Sequence, residues 1–122
     1  MANPKAIIAD DEEQLILSLK SNLRQLWPEL VICGQATNGI DALKLIDTHR
    51  PDIAFLDIKM PGGMDGIETL REIKRHQPLA EVILLTGHGS VETSIEGMKL
   101  GAFDYLLKPI KLEDLMVKLG EA

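Results

Sequence analysis

The sequence predicts an α/β fold, a doubly wound (βα)5 domain whose five parallel strands lie in the order 2-1-3-4-5 with helices on both faces. Three observations predict it. Short apolar runs alternate about five times with stretches of helical periodicity, the pattern of a parallel sheet covered on both sides. The runs Lys5–Ala9, Ile53–Asp57 and Glu81–Thr86 are aliphatic and brief, as strands buried on both faces are. Right-handed crossovers leave few topologies for 122 residues, and 2-1-3-4-5, the flavodoxin-like order, places its switch point between the first and third strands.

Each element has its own signal. Lys5-Ala6-Ile7-Ile8-Ala9 reads as the first strand, closed by the acid run Asp10-Asp11-Glu12-Glu13. Leu15, Leu19, Leu23 and Leu26 recur at helical spacing, Leu17 and Leu30 fall off that stripe, and Pro28 closes the helix. Leu30 to Cys33 is expected as the second strand, and Asn38-Gly39 punctuates before a helix carrying Ile40, Leu43 and Ile46. His49-Arg50-Pro51-Asp52 leads into the central strand, which ends at Asp57 and runs on into Ile58-Lys59-Met60-Pro61-Gly62-Gly63. After Gly66, Ile67, Leu70 and Ile73 mark a third helix ending near Pro78. Glu81–Thr86 is the fourth strand and Gly87-His88-Gly89 a loop. Ser90 suits the N-cap of a helix through Ile95 and Met98 to Leu100, and Gly101 suits its C′ position. Asp104-Tyr105-Leu106-Leu107-Lys108 is the last strand, stopped by Pro109; Leu112, Leu115, Met116 and Leu119 mark the final helix.

The totals describe one domain, residues 1–122, with no repeat, linker or low-complexity tract. With 45% hydrophobic residues but only 3% aromatic, the core must be aliphatic. No apolar run approaches the ~20 residues of a membrane span, and the first five residues lack the apolar centre of a signal peptide. The single Cys33 lies in an apolar run, can form no internal disulfide and reads as a structural thiol, so a cytoplasmic location is expected. A formal net charge of −6 argues against direct nucleic-acid binding by this domain and leaves room for a cation.

If the first and third strands are neighbours, Asp10, Asp11 and Asp57 converge at the carboxyl edge of the sheet, where open α/β folds place their sites. Crowded carboxylates raise one another's pKa or recruit a cation, and a hard all-oxygen set suits Mg²⁺. The plainer alternatives are that Asp57 starts a turn and that Asp10-Asp11-Glu12-Glu13 satisfies a helix dipole. Thr86 and Lys108 end the fourth and fifth strands at the same edge. Three carboxylates, a hydroxyl and an ammonium at four strand ends are the groups that phosphoryl transfer needs, since its catalysis is mostly alignment and charge neutralisation.

The pair Asp10-Asp11, the segment Phe55-Leu56-Asp57-Ile58-Lys59-Met60-Pro61, Thr86-Gly87, and Phe103-Asp104-Tyr105-Leu106-Leu107-Lys108-Pro109 together resemble, in order and spacing, the receiver domain of a two-component response regulator. The resemblance covers nearly the whole chain. It implies a signalling switch in which Asp57 accepts a phosphoryl group from a sensor histidine kinase or a phosphotransfer protein. Asp11, Asp57 and the backbone carbonyl of Lys59 would ligate Mg²⁺ (or Mn²⁺), with Asp10 acting mainly through water. Lys108 would pair with the phosphoryl oxygens and Thr86 would hydrogen-bond to them, while Tyr105 occupies the place of the family's rotameric switch aromatic. Catalysis would be confined to the domain's own phosphoryl transfer and dephosphorylation, so it is not expected to be an enzyme in the usual sense. The helix from Ser90, the last strand and the last helix would form the output surface. The mixed charges there (Glu92, Glu96, Lys99, Asp104, Lys111, Glu113, Asp114, Lys118) permit a homodimer, and the first helix would dock the kinase through Gln14, Leu15 and Ser18.

The sequence departs from the family pattern in one extra glycine within Met60-Pro61-Gly62-Gly63-Met64-Asp65-Gly66. Lys59 and His88 stand two residues beyond Asp57 and Thr86, where their side chains are expected to tune the lifetime of the phosphorylated form. His49 and His76 receive no role. Two rivals stand beside this reading. A receiver fold could act as a constitutive protein-interaction module without phosphorylation. An aspartate-nucleophile phosphatase would want a second Asp two residues after Asp57, where this chain has Lys59. Gly87-His88-Gly89-Ser90-Val91-Glu92 only begins a dinucleotide fingerprint, in the wrong place and without its third glycine. The chain is either a stand-alone receiver or part of a longer regulator carrying, for example, a DNA-binding or ATPase module.

Overall fold

The computed structural model describes residues 3–60, 64–87 and 91–121. Strands β1 (Lys5–Ala9), β2 (Val31–Ala36), β3 (Ile53–Asp57), β4 (Glu81–Thr86) and β5 (Asp104–Leu107) alternate with helices α1 (Glu13–Leu26), α2 (Gly39–His49), α3 (Gly66–His76), α4 (Val91–Lys99) and α5 (Leu112–Glu121). All strand pairs are parallel and the sheet order is β2-β1-β3-β4-β5, as the sequence predicts. Among the described residues, no helix is long and apolar enough to cross a membrane.

Side-chain alternation along the strands divides the core into two layers. Ile7, Ala9, Ala54, Leu56, Val82 and Leu84 face α2 and α3, packing with Ala42, Ile46, Leu70 and Ile73. Ala6, Ile8, Ile53, Phe55, Ile83 and Leu85 face α1 and α5, packing with Ile16, Leu19, Leu23 and Leu115. The central β3 is buried at every position, which is why its sequence is a continuous apolar run up to Asp57.

Several elements differ from their expected form. β2 starts at Val31 rather than Leu30 and runs three residues past Cys33. Gly34, Gln35 and Ala36 pair with Ile7, Ile8 and Ala9 after a register shift that leaves Cys33 out of step. Cys33 is half-buried; its thiol, pushed up by burial, donates to the Ala6 carbonyl at 3.4 Å. β5 ends at Leu107, so Lys108 stands just beyond its strand. In α1 the buried stripe is Ile16, Leu19 and Leu23, with Leu15 and Leu26 only half-buried. Ile40 in α2 and Met116 in α5 face outward.

The largest difference lies in α4. Ile95 and Met98, the apolar residues that mark this helix in the sequence, are 52% and 39% exposed, whereas among the described residues of α4 Ser94 and Gly97 are the buried ones. Gly97 permits a close approach: a Cβ there would lie 2.3 Å from Leu84 Cδ1. Gly101 follows with φ +108°, the left-handed conformation of a C′ glycine. Ser90, the expected N-cap, falls outside the described residues, as do Gly62-Gly63 and His88.

Candidate functional site

The ladder delivers four strand ends to one edge. Ala9 pairs with Leu56, Asp57 with Leu85 and Thr86 with Leu107. Pairing continues past each strand: Asp10 N–H donates to the Ala36 carbonyl at 3.0 Å, Ile58 N–H to Leu85 at 3.0 Å and Lys108 N–H to Thr86 at 2.7 Å. Asp10, Asp57, Thr86 and Lys108 are therefore fixed by sheet hydrogen bonds. Three of them are closed off from solvent: Asp10 is 0% exposed, Asp57 4% and Thr86 1%.

The Lys108 ammonium sits at the centre. Its Nζ lies 2.9 Å from Asp10 Oδ2, 3.2 Å from Asp57 Oδ1 and 3.4 Å from Glu12 Oε1. Asp10 Oδ1 accepts from Glu12 N–H at 2.8 Å, and Asp57 Oδ1 from Lys59 N–H at 3.2 Å. Asp10 Oδ2 is fully enclosed, and the Lys108 ammonium 2.9 Å away is the charge that faces it. A cavity of about 300 Å³ opens beside these groups, lined by Asp11, Glu12, Asp57, Ile58, Lys59, Gly87 and Lys108.

The electrostatics follow from that crowding. Burial, reinforced by the neighbouring Asp10 charge and only partly offset by Lys108, pushes the Asp57 carboxyl up to about 6. Burial likewise raises Asp10 despite the Glu12 N–H and Lys108. For Lys108, burial works against the ammonium, but the contacts to Asp10 and Asp57 outweigh it and its pKa rises. The donor set fits a hard divalent cation. Carboxylate oxygens of Asp10, Asp11 and Glu12 lie within 4.8 Å of one another, and Asp57 lines the same cavity as Asp11 and Glu12.

The expected residues are thus brought together, with three qualifications. Thr86 lies at the site, but its hydroxyl donates to the Gly87 carbonyl at 3.2 Å. Tyr105 is half-buried against the α2–α3 layer, with Lys118 Nζ 5.7 Å from its ring centroid and ion-paired to Asp104 at 3.1 Å. Lys59 lines the cavity and is exposed; the role expected for His88 concerns a residue outside the description. Two participants were not foreseen. Glu12 belongs to the acid run, yet nothing in the sequence singled it out as a partner of Lys108. Gly66 lies against the end of β3: its N–H donates to the Ile58 carbonyl at 2.7 Å, and a Cβ would fall 2.3 Å from the Asp57 carbonyl oxygen. Its signal was the Asp65-Gly66 pair, in which Asp65 caps α3 through Glu68 N–H.

Fold and site arrangement together define a flavodoxin-like domain of the receiver type. The chain belongs to the response regulator receiver domain family, whose sequence model matches residues 6–120. It is 45% identical over 111 residues to the regulatory protein AtoC of Escherichia coli, a match spanning 91% of this chain and 23% of AtoC. It is 39% identical over 116 residues to the transcriptional regulatory protein ZraR of Klebsiella oxytoca, spanning 95% of this chain and 25% of ZraR. The chain thus spans about a quarter of the length of these two relatives. Among solved structures, the receiver domain of NtrX from Brucella abortus superposes with a TM-score of 0.85 at 30% identity, covering 95% of both chains.

Proposed function

We propose that residues 1–122 form one receiver domain that acts as a phosphoacceptor switch, with Asp57 as the acceptor. The observation that carries this reading is the Lys108 ammonium within 3.2 Å of both Asp10 and Asp57, beside an open cavity at the sheet edge. Burial and the Asp10 charge push the Asp57 carboxyl up to about 6, which marks it as the perturbed carboxylate of the site. In the transfer, an Asp57 carboxylate oxygen bonds to phosphorus as the P–N bond to the donor imidazole breaks. The bonding pair leaves with that nitrogen, which takes a proton from solvent. Lys108 neutralises the charge gathered on the phosphoryl oxygens, and the Thr86 hydroxyl turns from Gly87 to hydrogen-bond them.

Asp11, Asp57 and the Lys59 carbonyl would hold Mg²⁺ or Mn²⁺, with Asp10 assisting through water. The ion supplies charge neutralisation and alignment of the phosphoryl oxygens when bound. Phosphorylation would turn one negative charge into about two, draw Thr86 inward and admit the Tyr105 ring behind it. The altered surface would be α4, β5 and α5, where Ile95, Met98, Leu107 and Val117 stand exposed and available to an output partner or a homodimer. The donor, a sensor histidine kinase or phosphotransfer protein, would dock in the groove lined by Gln14, Leu15, Ser18, Pro109 and Ile110. We place the domain in the cytoplasm, off the membrane and without direct contact to nucleic acid, and its chemistry ends with its own loading and dephosphorylation. Incubation with phosphoramidate and Mg²⁺, followed by mass spectrometry, tests the reading. One labile phosphoryl group, absent in Asp57→Asn, supports it; an unmodified wild type favours a constitutive interaction module.

A further inference from the structure

Resting on the reading of Asp57 as phosphoacceptor, we propose that Glu12 is a positioning residue that holds Lys108 back in the unphosphorylated protein and slows loading by donors too small to displace it. Glu12 is the N-cap residue of α1, yet its side chain makes no capping bond. Its N–H is fixed by Asp10, and its carboxylate reaches across 96 residues of sequence to accept from Lys108 Nζ at 3.4 Å.

The stoichiometry of the ammonium gives this contact its meaning. Lys108 has three N–H donors and no acceptor, and three carboxylates stand within ion-pair reach of it. Among the described residues its ammonium hydrogen-bonds to Glu12, while Asp10 and Asp57 stand as ion-pair partners, so a phosphoryl oxygen that draws Lys108 toward Asp57 must loosen the Glu12 contact. Asp10 is completely enclosed, and Asp57 is itself the group being modified. Glu12, with a side chain 63% exposed on a flexible stem, makes the contact that gives way at least cost.

Glu12 also stands at a seam. It lines the site cavity together with Asp57, and it lines the adjoining α1 groove together with Gln14, Leu15 and Ile110. A protein donor seated in that groove covers Glu12 and draws it from Lys108. A small donor enters the cavity with Lys108 still held. Glu12 therefore favours donors that fill the groove over those that only fit the site.

The test uses phosphoramidate as the small donor, with saturating Mg²⁺. Glu12→Gln and Glu12→Asp, the latter keeping the charge but shortening the reach, are each expected to load Asp57 roughly two- to fivefold faster than wild type, the scale of one exposed ion pair. Glu13→Gln, with the same change in net charge, is expected to load at the wild-type rate. The donor-free ammonium resonance of Lys108 should move in both Glu12 variants and stay in place in the Glu13 variant. A gain in Glu12→Gln without one in Glu12→Asp would mean simple repulsion of the anionic donor and would overturn the proposal. So would a several-fold loss of Mg²⁺ affinity in both Glu12 variants, which would make Glu12 a cation ligand, or an unmoved Lys108 resonance. If wild type takes up no phosphoryl group, the phosphoacceptor reading falls and the rate claim with it, while the resonance still decides whether Glu12 holds Lys108.

Discussion

Asp57→Asn should stabilise the cation-free protein, although it removes the group on which the site centres. In the fold the Asp57 carboxyl is pushed from its ordinary 3.8 to about 6. At about 1.4 kcal/mol per pH unit, ionising it there costs about 3 kcal/mol more than ionising it in the unfolded chain. The sign follows from proton binding. Between pH 3.8 and about 6 the folded protein holds this proton more tightly than the unfolded chain, so Asp57 lowers stability as pH rises and its full cost is present above 6. Asn keeps the shape and an acceptor oxygen for Lys59 N–H, but removes the charge. Urea unfolding in EDTA should therefore show the variant more stable than wild type by about 1–3 kcal/mol at pH 7.5, the excess shrinking toward zero near pH 4. Added Mg²⁺ should stabilise wild type more than the variant and narrow the gap. Equal or lower stability of the variant at pH 7.5 in EDTA would refute the claim that burial and Asp10 outweigh Lys108 at this carboxylate.

Lys108→Ala leaves Asp10 and Asp57 facing each other without their shared cation, and in EDTA it should cost about 3 kcal/mol at pH 7.5. The same substitution should cost markedly less at pH 5, where the freed carboxyls hold protons; a loss independent of pH would contradict the ion-pair account. Gly66→Ala drives a Cβ against backbone atoms, 2.3 Å from the Asp57 carbonyl oxygen and 2.5 Å from Ile58 Cα, and should lose about 1–3 kcal/mol by thermal or urea unfolding. Gly97→Ala meets Leu84 Cδ1 at 2.3 Å, the movable end of a side chain, and gains about 1 kcal/mol of helix propensity, so its loss should be clearly smaller. Asn38→Ala deletes the α2 cap, in which Asn38 Oδ1 accepts from Asp41 N–H at 2.8 Å, and should cost about 1 kcal/mol in the same assay.

The sheet and the charged centre were legible in the sequence because strand burial and strand ends leave strong marks. A run such as Ile53–Leu56 has no polar position to expose, so the first polar residue after it must emerge at the sheet edge. The same logic located Asp10, Thr86 and Lys108. The inner face of α4 was not legible, because apolar periodicity points toward Ile95 and Met98 while the helix approaches the sheet through Ser94 and Gly97. Small residues give no hydropathy signal, although they set how closely a helix can pack. The end of β2 was missed for a related reason: Gly34-Gln35-Ala36 carries no β-branched residue, and its pairing with β1 is decided by the neighbouring strand. Glu12 was hidden in plain acidity. In a run of four acids, only three-dimensional placement tells which carboxylate turns inward to Lys108.

The account rests on carboxylates from separate strand ends sharing one divalent ion, and a magnesium titration of isotope-labelled protein followed by NMR tests this most directly. The amides of Asp11, Ile58 and Lys59 should shift together along a single saturable curve, and Asp57→Asn should weaken that curve. Unmoved resonances at those positions, or weak shifts spread equally to Asp52 and Glu81 at the opposite edge of the sheet, would contradict it.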